Sequence, residues 1–179
     1  DYVFDGNSRA ALTEDAPVSP INVYGETKLK GEQAIQKWFP EAIIIRTSWV
    51  YSTFGKNFVK TMLRLMSERD SISVINDQIG SPTSAADLAQ AIVQIVDGAK
   101  WEGGVYHYSN EGEISWYDFA VAIRDIKGFE CEINAIPTTA YPTPAKRPQY
   151  SLLNKTKIKA TFGVEVPFWK DSLKKQLES

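Results

Sequence analysis

The chain has 179 residues, 43% of them hydrophobic and 23% charged, enough to bury a substantial core in a globular protein. Its net charge of -2, with both signs interspersed, leaves no electrostatic footprint for nucleic acid, and no apolar run reaches membrane-spanning length. Cys131 and His107 are the single cysteine and histidine, which excludes an internal disulfide and a multi-histidine metal site and makes a reducing cytoplasm the default compartment.

Strands alternating with helices predict an α/β protein with a largely parallel sheet. The chain opens on Asp1-Tyr-Val-Phe4 without a methionine, and residues 2–4 read as the tail of a strand whose N-terminal portion is expected to lie before it. Pro17 and Pro20 bracket an extended approach to a helix over about 24–38. Residues 42–46 form a continuous apolar run, as expected for a strand covered on both faces. A helix over about 56–69 and a short strand at 72–75 follow. Ser84 and Asp87 predict a capping box for the next helix, with Leu88, Ile92, Val93 and Val96 inward and Gly98 ending it. After a strand at 104–108, Ser115 and Asp118 repeat the capping pattern, turning Phe119, Ala120 and Ile123 inward, with Gly128 beyond. Residues 131–136 alternate as a strand in which Cys131 reads as a buried small hydrophobe, and residues 137–148 lack helical periodicity. Asn154 caps a short helix ending at Gly163, a last helix covers about 168–177, and the basic run 155–159 reads as a solvated helix face.

Tyr24 and Lys28 are the chemically suggestive pair. Four residues apart on a helix, they share a face. A lysine ammonium beside a phenol favours the phenolate, and a tyrosine so tuned can exchange the proton that accompanies hydride transfer to a carbonyl. The pattern alone is equally that of an ordinary amphipathic helix. A glycine fingerprint for a dinucleotide pyrophosphate is absent from the chain, so either no dinucleotide binds or the fingerprint lies upstream. Trp49 follows the apolar strand near its C-terminal end, where ligands bind in open α/β sheets; sugar contact and core packing are both open to it. Arg147 in the proline-rich loop can pair with a diphosphate or form a surface ion pair. Gln78, Pro82 and Thr83 either shape a pocket or form the turn after a strand, and Asn57 is either polar lining or a first-turn helix residue. Gly25 either lets a ligand approach Tyr24 or relieves helix packing. His107 reads as structural.

Asp1-Tyr-Val-Phe-Asp-Gly6, Tyr24-Gly-Glu-Thr-Lys-Leu-Lys-Gly-Glu32 and Arg46-Thr-Ser-Trp-Val-Tyr51 together resemble the extended short-chain dehydrogenase/reductases, and within them the dTDP-4-dehydrorhamnose reductases. Asn57-Phe-Val-Lys-Thr-Met-Leu63, Asp77-Gln-Ile-Gly-Ser-Pro-Thr83, Gly104-Val-Tyr-His-Tyr-Ser-Asn110, Ser115-Trp-Tyr-Asp-Phe119 and Arg147-Pro148 continue the match in order. The resemblance implies the C-terminal part of a doubly wound Rossmann-type parallel sheet plus a smaller mixed α/β substrate-binding lobe. It assigns residues 1–70 to the C-terminal part of the NAD(P)-binding Rossmann domain and 71–179 mainly to the substrate-binding lobe, interleaved with the Rossmann part.

The activity so implied is reduction of the 4-keto group of dTDP-4-dehydro-L-rhamnose by NADPH or NADH, giving dTDP-L-rhamnose for bacterial cell-surface polysaccharide. Tyr24 would donate the proton, and Lys28 would hold the nicotinamide ribose beside it. A Ser or Thr partner is expected just before Asp1, Asp1 contacts the sugar nucleotide, and Trp49 contacts substrate. The 179 residues alone are then expected to be inert, and a sheet edge left open makes a homodimer a further expectation. An extended sugar-nucleotide epimerase or dehydratase, and a non-catalytic regulatory relative of the reductase, are the alternatives. No metal, nucleic acid or membrane partner is expected.

Overall fold

Helix and strand alternate along the chain in the computed structural model, which describes residues 1–178. Helix α1 (Val23–Trp38) leads into β1 (Ile43–Arg46), and a bend at 47–49 reaches β2 (Val50–Tyr51). Then come α2 (Phe58–Glu68), β3 (Ser71–Ile75), β4 (Ile79–Gly80), β5 (Thr83–Ser84) and α3 (Ala85–Asp97). They are followed by β6 (Gly104–His107), β7 (Ile114–Ser115), α4 (Trp116–Lys127) and β8 (Glu132–Ile136). A 3-10 turn at Thr138–Ala140 opens a long loop before α5 (Thr156–Phe162) and α6 (Trp169–Glu178). No helix among the described residues is long and apolar enough to cross a membrane.

The strands pair two by two. β1 runs parallel to β6, Ile43 opposite Gly104 through Arg46 opposite His107. β3 and β8 are parallel from Ser71 opposite Glu132 to Ile75 opposite Ile136, β2 and β5 are parallel, and β4 and β7 antiparallel. Parallel partners need a crossover between them, and the intervening helices supply it. The larger core lies where Val59, Met62 and Met66 of α2 meet Phe119, Ala120 and Ile123 of α4, over Ile72, Val74 and Ile133. A second core gathers Ala91 and Ile95 of α3 with Tyr106, Tyr108 and Ile158. Helix α4 has the predicted start and stop: Ser115 and Asp118 form a full capping box, and Gly128 ends it at φ 68°. Cys131 is buried, as its place in the alternating segment suggests.

Five local expectations are corrected. Residues 2–4 are a turn, not strand: the Phe4 amide donates to the Asp1 carbonyl at 3.2 Å, and Val3 and Phe4 are buried with Leu153. β1 is not covered on both faces, because Ile43, Ile44 and Ile45 are only half-buried, and Ile44 and Ile45 line a cleft beneath α1. Ser84 makes no capping hydrogen bond to the helix. Asp87 instead accepts from Asn110 Nδ2 at 2.6 Å and from Ser172, while Asn110 Oδ1 takes the Ser84 amide at 2.7 Å. Anchored this way, α3 turns Ala91 and Ile95 inward and leaves Ile92, Val93 and Val96 exposed. The basic run at α5 is not a solvated face: Lys155 is buried 3.2 Å from Glu111, Lys159 pairs with the same carboxylate, and Lys157 donates to the Val105 carbonyl at 2.9 Å. Removing a lysine from water is tolerable only with such a partner.

Candidate active site

The start of α1 is fixed by backbone chemistry. Asn22 is the N-cap, its Oδ1 accepting from the Gly25 amide at 2.8 Å. Gly25 is buried because a Cβ there would lie 2.1 Å from the Tyr2 carbonyl oxygen, so the helix sits directly on the 1–4 turn. Of the two uses open to that glycine in sequence, helix packing is the one the geometry requires. Tyr2 meets the Tyr24 ring edge-on, with centroids 5.4 Å apart. One turn later the Lys28 ammonium lies 5.2 Å from the centroid of the same ring. Tyr24 itself is 58% exposed.

Further along that helix, Glu32 clamps it to β1. Arg46 Nε donates to Glu32 Oε1 at 3.0 Å and Nη2 to Oε2 at 2.8 Å, and the two side chains are only 8% and 11% exposed. Such two-pronged pairs fix orientation as well as distance. Beneath them His107 places Nδ1 3.0 Å from the Leu12 carbonyl and Nε2 3.4 Å from Arg46 Nη1. A carbonyl can only accept, so Nδ1 carries the proton and Nε2 faces the guanidinium as acceptor. Burial, and then the charge of Arg46, lower the His107 pKa to about 3, so the imidazole stays neutral and supports the clamp.

Trp49 occupies the bend between β1 and β2 at φ 48°, a left-handed conformation that costs an L residue on the order of 1–2 kcal/mol. Its surroundings hold it there. Its carbonyl accepts from the Thr83 amide at 3.2 Å, and its indole stacks on Trp116 with centroids 3.7 Å apart and planes 14° from parallel. Gly80 supplies the room, since a Cβ at that position would lie 3.0 Å from the Trp49 ring.

Three clefts join through shared residues. The first, about 430 Å³, lies between α1 and β1 and is lined by Asp1, Tyr24, Thr27, Lys28 and Gly31 among others. The second, about 460 Å³, is lined by Asp1, Tyr2, Asn22, Tyr24, Thr47, Trp49 and Arg147. The third, about 520 Å³, is largely apolar, with Phe58, Met62, Trp116, Tyr141, Gln78 and Arg147 in its wall. Tyr24 and Asp1 belong to the first two and Arg147 to the last two, so a phenol, a carboxylate, an indole and a guanidinium line one groove of adjoining clefts.

The match to known proteins extends over the whole chain: the family model described as the RmlD substrate binding domain covers residues 1–179. The chain belongs to this RmlD family. It is 43% identical to the dTDP-4-dehydrorhamnose reductase of Escherichia coli (strain K12), over 99% of this chain and 62% of that protein. A crystal structure of a dTDP-4-dehydrorhamnose reductase from Clostridium acetobutylicum superposes with a TM-score of 0.94 at 40% identity, again over 99% of this chain and 62% of that one. One from Bacillus anthracis, in complex with NADP, gives 0.92 at 37% identity with the same coverage. The chain thus spans 62% of the length of these relatives.

In this RmlD-family chain Asp1, Tyr24, Trp49 and Arg147 share the central cleft, and Lys28 adjoins it. Arg147 is exposed and has no ion-pair partner among the described residues. Gln78 stands apart, in the wall of the third cleft, where its buried amide donates to Thr138 Oγ1 at 3.1 Å. Thr83 is buried beneath Trp49, and Pro82 gives its carbonyl to the Asn110 amide at 3.2 Å. Asn57 is the N-cap of α2, accepting from the Lys60 amide at 3.1 Å. Sequence reasoning passed over Tyr2, Asn22, Trp116 and Tyr141. An N-cap residue just before the helix was a usable signal for Asn22. Nothing local marked Tyr2, Trp116 or Tyr141, whose positions depend on distant partners. Among the described residues no group of three or more His, Cys, Asp or Glu side chains is arranged to hold a metal.

Proposed function

We propose that this chain carries the substrate site and proton-donating pair of an NAD(P)H-dependent reductase that converts dTDP-4-dehydro-L-rhamnose to dTDP-L-rhamnose. The observation behind this reading is the shared cleft of Tyr24, Asp1, Trp49 and Arg147, with Lys28 beside it. The relatives' names supply the substrate class. The residues of the first cleft suit the nicotinamide riboside end of a dinucleotide: Lys28 is exposed, faces the Tyr24 ring and is engaged in no ion pair among the described residues, which leaves its ammonium protons for ribose hydroxyls. The chain offers no glycine fingerprint to the pyrophosphate.

When bound, the reduced nicotinamide supplies the hydride that turns the keto carbon into a carbinol carbon. Tyr24 gives its hydroxyl proton to the carbonyl oxygen as that oxygen becomes an alkoxide, and Lys28 offsets the charge left on the phenolate. Trp49 presents an apolar ring face to the sugar, Asp1 accepts from a sugar hydroxyl, and Arg147 pairs its donor fork with the diphosphate. The apolar third cleft receives the base.

Tyr24→Phe, made in the protein at its full encoded length, should reduce NADPH oxidation by on the order of 10²–10⁴-fold with little change in sugar-nucleotide affinity. Full activity in that variant would sink the assignment. Stoichiometric cofactor oxidation in the wild type separates a reductase from an epimerase, which returns its NAD unchanged. The 179 residues by themselves should oxidise no NADPH.

A further inference from the structure

Residues 141–147 arch over the groove and contribute Tyr141, Thr143 and Arg147 to its walls. This arch is anchored at both ends. At one, Asp77 accepts from the Thr138 amide at 2.9 Å. At the other, Pro148 is buried against Gly6, where a Cβ would lie 2.5 Å from the proline Cα. Between the anchors, among the described residues, a single hydrogen bond ties the arch to another part of the chain. Asn22 Nδ2 donates to the Lys146 carbonyl at 2.9 Å across 124 positions of sequence. The same side chain caps α1 through its other atom, accepting from the Gly25 amide at 2.8 Å. Asn22 therefore sits two residues from Tyr24 and bonds the residue next to Arg147.

We propose that Asn22 is a positioning residue that fixes the Arg147 arch to the cap of the Tyr24 helix, so that the group gripping the diphosphate and the group protonating the sugar keep a set separation. This rests on the dTDP-sugar reading of the groove. The asparagine amide does both jobs with two separate atoms, Oδ1 accepting from the helix N–H and Nδ2 donating to the carbonyl, whereas a serine hydroxyl is shorter and has one oxygen for the cap. Serine at this position keeps the cap and loses the tether; alanine loses both.

Two readouts decide the matter in the full-length protein. The Lys146–Arg147 bond is a trypsin site in an exposed segment, whereas the next bond, before Pro148, is not. Asn22→Ser should melt only about 2–4 °C below the wild type yet be cut after Lys146 about fivefold faster, as expected for the loss of one hydrogen bond of about 1 kcal/mol. The same variant should raise the KM for the dTDP-sugar by about fivefold, leaving kcat and the KM for NADPH within about twofold of wild type. A purely structural role would lower the melting temperature without this split. An unchanged cutting rate overturns the tether, and faster cutting with an unchanged sugar-nucleotide KM overturns its link to substrate. Asn22→Ala provides the control in which the cap is lost too and the melting temperature falls further. A wild-type protein inactive toward the dTDP-sugar would defeat the reductase reading instead, and the trypsin comparison would still decide the tether.

Discussion

Helices α1 and α4 both face the groove, and they are held in opposite ways. α4 buries Phe119, Ala120, Ala122 and Ile123 and contributes Trp116 from its first turn. α1 carries Tyr24 and Lys28 but fully buries only Gly25, with Val23, Ile35 and Trp38 exposed. Apart from Leu29, packed on Val3, Phe4 and Leu153, its seat is made by the Asn22 cap, the close approach to Tyr2 and the clamp of Glu32 by Arg46. Apolar packing is nondirectional, whereas caps and two-pronged ion pairs specify angle and register. Within these residues the helix that carries Tyr24 is seated mainly by directional contacts, and the one that contributes Trp116 to a cleft wall is seated mainly by apolar bulk.

Substitutions can break that contrast. Phe119→Ala should cost about 3–5 kcal/mol in urea unfolding, against about 0.5 kcal/mol or less for Ile35→Ala on α1. Equal losses would erase the distinction. Glu32→Ala strands the buried Arg46 guanidinium and should cost about 3 kcal/mol; a loss of a few tenths would mark the pair as surface-like.

The support under that clamp predicts an acid sensitivity. His107 titrates near 3 when folded, below its ordinary 6.5, so the unfolded chain takes up the proton first as pH falls. Stability is then full above about pH 6.5 and declines toward pH 3, by about 2 kcal/mol at pH 5. His107→Gln should flatten that slope, and an unchanged slope would assign the acid loss to other groups. Ser115→Ala should take about 1 kcal/mol from α4 without moving sugar-nucleotide affinity.

What could be read in the sequence was local. The extent of α1, the capping box at Ser115 and Asp118, and the parallel α/β class follow from apolar period, cap residues and alternation. Tyr24 and Lys28 could be placed on one helix face by spacing alone. Where distant partners compete, local reading failed. Asp87 is drawn from its expected cap by Asn110 and Ser172, and that rotates the apolar face of α3. Lys155 is drawn inward by Glu111, and the turn at residues 2–4 depends on the helix resting upon it. The left-handed backbone of Trp49 had no signature in its own residue type; its cause is Gly80 and Trp116, far along the chain.

That stacked pair has an optical consequence. Two indoles 3.7 Å apart with planes 14° from parallel are close enough for their electronic transitions to couple, and the near-ultraviolet circular dichroism of the protein should carry that coupling. A ligand settling against Trp49 should shift the coupling, and Trp116→Phe should abolish it. Occupancy at the middle of the groove can therefore be followed as a change in the colour-blind ultraviolet signature of the protein, with no label and no turnover.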